Sequence, residues 1–409
     1  MNDLAAESEA LPVVVVGAGP VGLVAALTAR HHGLPVVVLE AESEGRPRAG
    51  SRAVFLYRES LDLLERIAPG VTAPLIEQSR SWTQVRTTFR SKDVYVRKFP
   101  AAPPGKFGIS VAQPAQEQVL LERCRREGVE FRWGHPVEGV STDGDGVTLK
   151  ISGKDPVRAR YVLASDGARS AVRTGLGIEF EGSRSNTAFI IVDLAANEND
   201  PKYNERAFHY QHPAVGGRNV LVVPFGGGLR VDLQCSLDDD VEAWQTDPKL
   251  SEWVSAVAGP GFDLPPLWVT TYRFHRSVAT SYTDENARVL LAGEAAHLFP
   301  PFGGARGLNS GIPDAVFAVD AIADALRELD PVSARAHIVA VAEERRSAGL
   351  GNRAAASASL KQMEAKSWWL RARLRLASLA AVKSDRAGRW LDRMPTAGSD
   401  IKVSDRSRY

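Results

Sequence analysis

Hydrophobic and polar positions near the start of the chain alternate in blocks that predict a strand, a helix and a second strand. Residues 11–16 are mostly apolar, and the loop Gly17-Ala18-Gly19-Pro20-Val21-Gly22 follows them directly. Apolar residues then recur at a helical spacing as far as Thr28. A second apolar run, 35–39, ends in Glu40. The pattern therefore predicts a βαβ unit with an acidic residue at the end of its second strand.

The glycines of this loop have the spacing of a dinucleotide-binding motif. Gly17 permits the tight turn, Gly19 lets a pyrophosphate approach the backbone, and Gly22 allows close packing of helix on strand. The helix N-terminus, entered through Pro20 and Val21, supplies amide donors and a positive dipole. Glu40 is placed to accept hydrogen bonds from an adenosine ribose. The motif favours a dinucleotide site over a purely structural turn, but it does not separate FAD from NAD.

Beyond this unit, the pattern divides the chain into blocks. Residues 82–99 alternate and are rich in Val, Thr and aromatics, which predicts strands. Residues 180–280 carry strand-like runs typical of a separate sheet domain. Helices are predicted over 116–128 and over most of 307–360. The basic segment 366–394 is predicted to be a helix or helix pair that docks on the core, in preference to a membrane-surface helix, with a dimer contact left open.

Composition excludes several classes of protein. The chain has 409 residues, of which 44% are hydrophobic and 24% charged, and its net charge is +1, so we expect no nucleic-acid partner. Cys124 and Cys235 cannot form a disulfide framework, which favours buried free thiols and a cytoplasmic location. No apolar run reaches about 18 residues, so no transmembrane helix and no stable membrane association are expected.

Two further motifs combine a strand end, glycine and an acid. Asp166-Gly167 follows the strand-like run 161–164, and Gly293-Glu294 follows the run 288–292. A glycine-rich segment, Pro300 to Gly311, then leads into a helix. A strand-end carboxylate can accept hydrogen bonds from ribityl hydroxyls. The amides near Gly307 and Leu308 would suit an electron-rich ring edge.

In this order, the three motifs resemble those of FAD-dependent aromatic hydroxylases of the para-hydroxybenzoate hydroxylase type, the class A flavoprotein monooxygenases. The resemblance covers about residues 11–350. It implies an α/β fold with an α+β lid: a glutathione-reductase-type Rossmann FAD domain, a β-sheet substrate domain and C-terminal helices. We expect a discontinuous FAD-binding domain, a substrate or lid domain, and a C-terminal helical segment. The FAD-binding domain comprises residues 11–80, 105–179 and 281–360. The substrate or lid domain comprises residues 81–104 and 180–280, and the C-terminal helical segment comprises residues 361–409.

The resemblance also implies roles for individual residues. The expected FAD-binding residues are Gly17, Gly19, Pro20, Val21, Gly22, Glu40, Arg48, Arg52, Gln113, Asp166, Gly167, Gly293, Glu294, Pro301, Gly304, Gly307, Leu308 and Asn309. Arg52 resembles the pyrophosphate-contacting arginine, and Gln113 the glutamine near the ribityl chain. Glu294 stands where the family usually has aspartate. Glutamate keeps the carboxylate acceptor and is one methylene longer.

The implied reaction uses NADPH or NADH as a transient reductant of FAD. O2 adds at flavin C4a, and the hydroperoxide transfers a hydroxyl group to an electron-rich aromatic ring. No metal is needed. The expected catalytic residues are Pro301, Gly303 and Gly304 beside the flavin and His209, Tyr210 and Tyr272 in the lid. His297 is expected to be structural, and Arg306 either orients an anionic substrate or lies at the mouth of the loop.

The identity of the substrate stays open. We favour a phenol, including larger polycyclic natural products, over a small carboxylated benzoate. The alternatives on the same fold are an epoxidase, a Baeyer–Villiger oxygenase or a reductase acting on a non-phenolic compound; a non-catalytic flavin-binding protein and a plain NAD dehydrogenase are less consistent with the motifs. The oligomeric state, monomer or homodimer, and the choice between NADPH and NADH also stay open.

Overall fold

The computed structural model describes residues 11–46, 50–100, 102–197, 199–259, 262, 265–300, 305–328 and 330–392. The strands are, in chain order, β1 (Leu11–Val16), β2 (Val36–Glu40), β3 (Phe55–Leu56), β4 (Gln84–Phe89), β5 (Lys92–Lys98), β6 (Ile109–Ser110), β7 (Glu130–Trp133), β8 (Val137–Thr142), β9 (Val147–Ile151), β10 (Val157–Ala164), β11 (Phe180–Ala195), β12 (Glu205–His212), β13 (Arg218–Phe225), β14 (Gly228–Gln234), β15 (Trp268–Ala279), β16 (Val289–Leu291) and β17 (His297–Leu298). The α-helices are α1 (Pro20–His31), α2 (Arg58–Ile67), α3 (Thr72–Glu77), α4 (Gln113–Arg126), α5 (Ala171–Gly175), α6 (Val241–Trp244), α7 (Lys249–Ala258), α8 (Arg306–Arg327), α9 (Pro331–Glu364), α10 (Trp368–Ala381) and α11 (Asp385–Asp392).

The first sheet has the order β7-β2-β1-β10-β9-β8, and β16 also pairs with β10. Strand β1 runs parallel to β2 and β10, and β10 runs parallel to β16. The central strands consist almost entirely of buried aliphatic residues, because a parallel sheet is covered on both faces. Helices α1 and α8 pack together and share one core with β1. The predicted βαβ unit is confirmed.

The second sheet has the order β17-β15-β11-β14-β13-β12-β4-β5. Its strands β4 and β5 come from an early part of the chain, and β4 pairs with β12 in parallel. We propose that this sheet is the lid domain of the division made above. The sheet crosses the proposed boundary only at β17, within 281–360, because β17 pairs with the end of the long strand β15.

The two faces of the second sheet have different chemistry. One face is aliphatic and packs against α6 and α7, whose Trp244 and Trp253 complete that core. The other face carries polar and aromatic residues on alternate positions, among them Asp193, Arg230 and Tyr272. Part of this face packs against the C-terminal helices. The rest of this face is not covered by the C-terminal helices. A site between the two sheets would lie on that uncovered part.

Several local predictions can be compared with the structure. The helix predicted over 116–128 begins earlier, at Gln113, because Pro114 occupies its first turn. The helical segment 307–360 is two helices, and the side chain of Asp330 caps the second one. The basic C-terminal segment is a helix pair, α10 and α11, and both cysteines are buried and free. Among the described helices, none combines the length and the apolar character that crossing a bilayer requires.

Candidate active site

The three sequence motifs meet at one end of the first sheet. A β-carbon on Gly17 would lie 2.6 Å from the carbonyl oxygen of Ser165, the residue before Asp166. Val21 fits between two other glycines: a β-carbon on Gly293 would lie 2.9 Å from its side chain, and one on Gly311 would lie 2.7 Å away. The first loop, the Asp166-Gly167 turn, the Gly293-Glu294 turn and α8 are therefore in direct contact.

The N-terminus of α1 has the geometry of a phosphate site. Gly17 has a φ of +99°, and a β-carbon on Gly22 would lie 1.9 Å from the carbonyl oxygen of Gly17, so both positions need glycine. Gly19 is the N-cap residue and has no side chain with which to cap the helix, and Pro20 occupies the first turn. A β-carbon on Gly19 would meet no atom of the described residues within 4 Å. The amide end of α1 therefore faces open space, as anion binding requires.

Glu40 stands beside this loop at the end of β2. Its Oε2 accepts a hydrogen bond from the backbone N–H of Ala18 at 2.7 Å, and its Oε1 accepts one from the N–H of Glu42 at 3.0 Å. The side chain is buried. The carboxylate is thus fixed next to the glycine loop, at the position that the sequence predicts for a ribose acceptor.

A clamp that sequence analysis did not find holds the Arg52 loop against the second sheet. The carboxylate of Asp193 accepts hydrogen bonds from the N–H of Ser51 at 2.6 Å and from its Oγ at 2.8 Å. The guanidinium of Arg230 donates to the carbonyl oxygen of Arg52. On the other side of the loop, the N–H of Gln113 donates to the carbonyl oxygen of Ser51 at 2.9 Å, which ties the loop to α4.

The clamp extends into the sheet. Arg230 pairs with Asp232 at 2.6 Å, two residues along β14, and all three charged side chains of the clamp are buried. Burial raises the pKa of Asp193, while its hydrogen bonds from Ser51 and the charge of Arg230 oppose that rise. The alternation Arg230-Val231-Asp232-Leu233-Gln234 is the one sequence signal for this face, since it places polar residues on one side of a buried strand.

Glu294 and Tyr272 face a space inside the molecule, between the two sheets. Glu294 is exposed to solvent although it lies deep in the protein, and desolvation raises the pKa of its carboxyl. Tyr272 is 39% exposed, and desolvation, with the charge of Glu294 second, raises the pKa of its hydroxyl to about 12. The charge of Arg52 acts on both residues in the opposite direction. These three side chains therefore border one solvent-reachable space.

The Asp166-Gly167 turn is a capped turn as well as a candidate site. Asp166 Oδ2 accepts from the N–H of Val172 at 3.1 Å, and the Ser170 hydroxyl accepts from the N–H of Arg173 at 2.9 Å, so both cap α5. Asp166 Oδ1 is buried with no hydrogen-bond partner in the part of the chain that the structure describes. Burial raises the pKa of Asp166. Gly167, at φ +81°, leaves open space around its α-carbon.

The start of α8 presents backbone amides and holds its side chains inward. Ala305, the N-cap residue, has a left-handed conformation, and its own side chain makes no capping hydrogen bond. Asn309 uses its amide to accept from Tyr57 N–H and to donate to the Ala305 carbonyl, each within 2.9 Å. Its side chain is therefore committed to the protein, and only the backbone near Gly307 and Leu308 is left to contact a ligand. Arg306 also points inward, because it is buried and donates to Asn352.

A buried charged network supports the Gly293-Glu294 turn from below. Asp314 Oδ2 lies 2.8 Å from His297 Nε2 and accepts from the N–H of Gly293 at 3.3 Å, while its Oδ1 accepts from Arg345 at 2.9 Å. Desolvation alone would raise the pKa of Asp314, but the charges of Arg345 and His297 together lower it. The structural role expected for His297 fits this contact. Asp314 and Arg345 have no local sequence signal, because they come from separate helices.

The candidate catalytic residues of the lid do not come together. Cross-strand pairing puts His209 on the same face as Thr271, and therefore on the opposite face from Tyr272. His209 is near Thr88, and burial lowers its pKa to about 4. The hydroxyl of Tyr210 donates to the carbonyl oxygen of Leu391 in α11. Of these residues, only Tyr272 borders the internal space; Arg48, Pro301, Gly303 and Gly304 lie outside the described residues.

Comparison with known proteins identifies the family of this chain. The profile described as the FAD binding domain matches residues 10–348, which is most of the chain. The chain belongs to the FAD binding domain family. FAD is therefore its cofactor, and the residues fit that group: the glycine loop excludes side chains where helix and strand meet, the α1 amides face open space, and an acid borders the internal space between the sheets.

Among relatives of this family, the chain is 34% identical over 317 residues to a rifampicin monooxygenase of Streptomyces venezuelae, covering 74% of this chain and 62% of the relative. It is 32% identical over 322 residues to a 3-(3-hydroxy-phenyl)propionate/3-hydroxycinnamic acid hydroxylase of Mycolicibacterium smegmatis, covering 75% and 53%. The matched part spans about half to three-fifths of these relatives. The crystal structure of p-nitrophenol 4-monooxygenase PnpA from Pseudomonas putida has a TM-score of 0.75 and 27% identity, covering 96% of this chain and 95% of that one.

Proposed function

We propose that this protein is an FAD-dependent monooxygenase that uses NAD(P)H and O2 to hydroxylate an aromatic, phenolic substrate. The observation that carries the proposal is the meeting of the three motifs at a space between two sheets, bordered by Arg52, Tyr272 and Glu294. Relatives named as monooxygenases or hydroxylases of aromatic compounds support it. FAD, when bound, supplies the transfer of electrons from NAD(P)H and the activation of O2.

The chain's own residues hold and orient the reactants. In this proposal the amides at the start of α1 bind the pyrophosphate, and Glu40 accepts from the adenosine ribose. Arg52, fixed by the Asp193 clamp, contributes positive charge beside the phosphates. Glu294 would face the ribityl chain, with Asp166 and Gly167 close by. The amide of Gln113 is used within the protein, because its Oε1 accepts from the N–H of Ala53 at 3.3 Å and its Nε2 donates to Glu117 at 2.8 Å. Gln113 would therefore support the Arg52 loop beside the ribityl chain. Arg48, Pro301, Gly303 and Gly304 keep the cofactor and catalytic roles that the family resemblance implies for them.

The substrate side of the site is formed by the lid. Because the pKa of Tyr272 is raised to about 12, its hydroxyl is protonated at neutral pH. Tyr272 would therefore donate a hydrogen bond to the substrate and would not act as its base. The amides near Gly307 and Leu308 would supply positive potential to the electron-rich edge of a bound flavin ring.

The finer points are extensions of the same proposal. We place the enzyme in the cytoplasm, as a monomer or homodimer, with a small aromatic molecule and O2 as its reactants and no nucleic-acid partner. The nicotinamide is a transient reductant.

The test is a steady-state assay of the purified protein reconstituted with FAD. Oxidation of NADPH and of NADH is followed with and without a panel of phenols, and product masses are taken. We expect one or more phenols to stimulate oxidation and to gain one oxygen atom. Stimulated oxidation that reduces the substrate and adds no oxygen would overturn the proposal in favour of a reductase.

A further inference from the structure

Helix α10 has two apolar sides, and it docks on the protein through only one of them. Leu374 and Ala381 are buried and pack into the core between the second sheet and the C-terminal helices. The helix is preformed, because the Ser367 hydroxyl caps it by accepting from the N–H of Leu370 at 3.3 Å. The side of α10 opposite Leu374 lies outside this core.

The outer side of α10 carries a concentrated group of exposed apolar side chains. Half of the large apolar side chains that are exposed in the described part of the chain lie within residues 368–382. Their exposed fractions run from 59% to 77%, and they are Trp368, Trp369, Leu376, Leu379 and Val382. At 3.6 residues per turn, the first four fall within about 100° of arc, and we call these four side chains the α10 outer face. An exposed apolar group of this kind marks contact with a partner or a membrane.

Positive charge flanks the α10 outer face on both edges. By the same helical geometry, Arg371 and Arg375 lie along one edge and Arg373 lies along the other, and all three are exposed. Arg373 also lies over the ring of Trp390, 4.6 Å from its centroid, which holds that arginine at the edge. Residues 365–384 contain five basic residues and no acidic residue. The face is therefore suited to an anionic surface.

This charge pattern distinguishes a second copy of the chain from a lipid surface as the occupant of the face. In a symmetric contact between two copies, the same residues meet on both sides, so the flanking arginines would approach arginines. A bilayer that contains anionic lipid has headgroups of the opposite charge. Arginine stems also lie along apolar surface while their charge stays in water, and tryptophan is enriched at membrane interfaces.

We propose that the α10 outer face binds reversibly to a membrane surface that contains anionic lipid. Its apolar side chains enter the boundary between headgroups and acyl chains, and the flanking arginines lie among the lipid phosphates. Because only four apolar side chains take part and the helix stays docked on the protein, the contact is peripheral. It differs in this respect from a stable membrane anchor.

Co-sedimentation of the FAD-loaded protein with vesicles tests the proposal. One kind of vesicle contains equal parts of phosphatidylglycerol and phosphatidylcholine, and the other contains phosphatidylcholine alone. We expect saturable binding to the anionic vesicles and a Kd about tenfold or more higher on the neutral ones, because each arginine near an anionic surface favours binding about fivefold. Raising the salt from about 0.1 M to about 1 M should weaken the binding to anionic vesicles by a similar factor, since the Debye length shortens.

The first variant, Leu376→Gln with Leu379→Gln, removes apolar surface from the α10 outer face. Both side chains are exposed, so the Tm should match that of the wild type. The Kd on anionic vesicles should rise about tenfold or more, because less apolar area enters the lipid. Leu237→Gln with Val332→Gln changes two side chains that are exposed elsewhere, and it should leave both quantities unchanged.

The second variant, Arg371→Gln with Arg375→Gln, removes the charge from one edge of the face. It should raise the Kd on anionic vesicles about 20-fold and leave the weak binding to neutral vesicles unchanged. Arg126→Gln with Lys154→Gln removes exposed cations at the end of α4 and between β9 and β10. This matched control should bind anionic vesicles as the wild type does.

Tryptophan emission reports whether α10 is the part of the protein that enters the lipid. Anionic vesicles should shift the emission of the wild type to the blue, whereas Trp368→Phe with Trp369→Phe should bind the vesicles and lose most of that shift. The proposal is overturned if the protein does not bind anionic vesicles, if either the leucine or the arginine variant binds them as tightly as the wild type, or if the tryptophan variant keeps the shift. A dimer that the leucine variant dissociates, without vesicle binding, would overturn it in favour of a second copy on the face.

Discussion

Two glycines of the first loop differ in what a methyl group would meet. At Gly22 a β-carbon would lie 1.9 Å from the carbonyl oxygen of Gly17, so alanine there must displace backbone. At Gly19 it would have open space within 4 Å as far as the described part of the chain extends, and the backbone has an ordinary negative φ. Gly22 is thus needed for the fold, whereas Gly19 is needed only if a ligand approaches it.

Gly19→Ala should therefore separate folding from cofactor binding. We expect its FAD-free form to have the Tm of the wild type, while its Kd for FAD rises by about tenfold or more, because the methyl group occupies the approach of the pyrophosphate. Differential scanning calorimetry and FAD titration measure the two quantities. Gly144→Ala, in an exposed turn with open space around it, is the matched control. Unchanged FAD affinity in Gly19→Ala would place the pyrophosphate elsewhere.

A second prediction concerns how Glu294 affects the pH dependence of the melting temperature. Desolvation raises the pKa of its carboxyl, so the folded FAD-free protein holds that proton more tightly than the unfolded chain does. The stability gained from this group is present below the ordinary pKa of glutamate and is lost as the pH rises through the raised value. Glu294→Gln should give a higher Tm than wild type at pH 8 and the same Tm near pH 4.

The measurement is a series of melting curves of FAD-free protein between pH 4 and pH 8. Glu285→Gln, at an exposed position in a loop, serves as the control and should follow the wild type. A Glu294→Gln protein that is less stable than wild type at pH 8 would mean that the charged carboxylate is satisfied by the protein itself. The carboxylate would then already have its hydrogen-bond partners within the protein and would not need a ligand to supply them.

At the scale of elements, the contact between β11 and the Arg52 loop joins the two sheet domains. Asp193→Ala would leave the N–H and hydroxyl of Ser51 without their acceptor and remove a neighbouring charge from the buried Arg230. We expect the free energy of unfolding to fall by about 3 kcal/mol and FAD affinity to fall with it. Urea unfolding at pH 7 measures the first effect.

Two further variants serve as controls for the loss in free energy of unfolding expected for Asp193→Ala. Asp193→Asn keeps one acceptor oxygen and should lose less stability than Asp193→Ala. Asp238→Ala removes an exposed carboxylate near the same sheet and should stay within about 0.5 kcal/mol of the wild type. If Asp193→Ala also stays within that margin, the clamp does not hold the loop.

Elements with a local signal could be predicted, whereas contacts between distant segments could not. The glycine loop, β2 and Glu40 follow from a periodic pattern within thirty residues, and the structure forms them as expected. Ser51 and Asp193 are 142 residues apart and have no shared pattern. His209 and Tyr210 are neighbours in sequence but point to opposite faces, and neither borders the site, so only the register of the sheet could tell where each side chain lies.

At the scale of the whole molecule, the two sheets supply different parts of the candidate site. The first sheet brings the three motifs together, and the second contributes Tyr272 and holds the Arg52 loop. In the proposed function, the first sheet holds the cofactor and the second sheet contacts the substrate.

The most direct measurement is the origin of the oxygen in the product. The FAD-loaded protein is supplied with NADPH and the phenol that stimulates its oxidation most, under 18O2 in ordinary water. We predict a hydroxylated product that carries one 18O atom, and unlabelled product when the label is in the water instead. A product without 18O from O2, or one that is only reduced, would contradict the proposal that this protein inserts an oxygen atom into an aromatic ring.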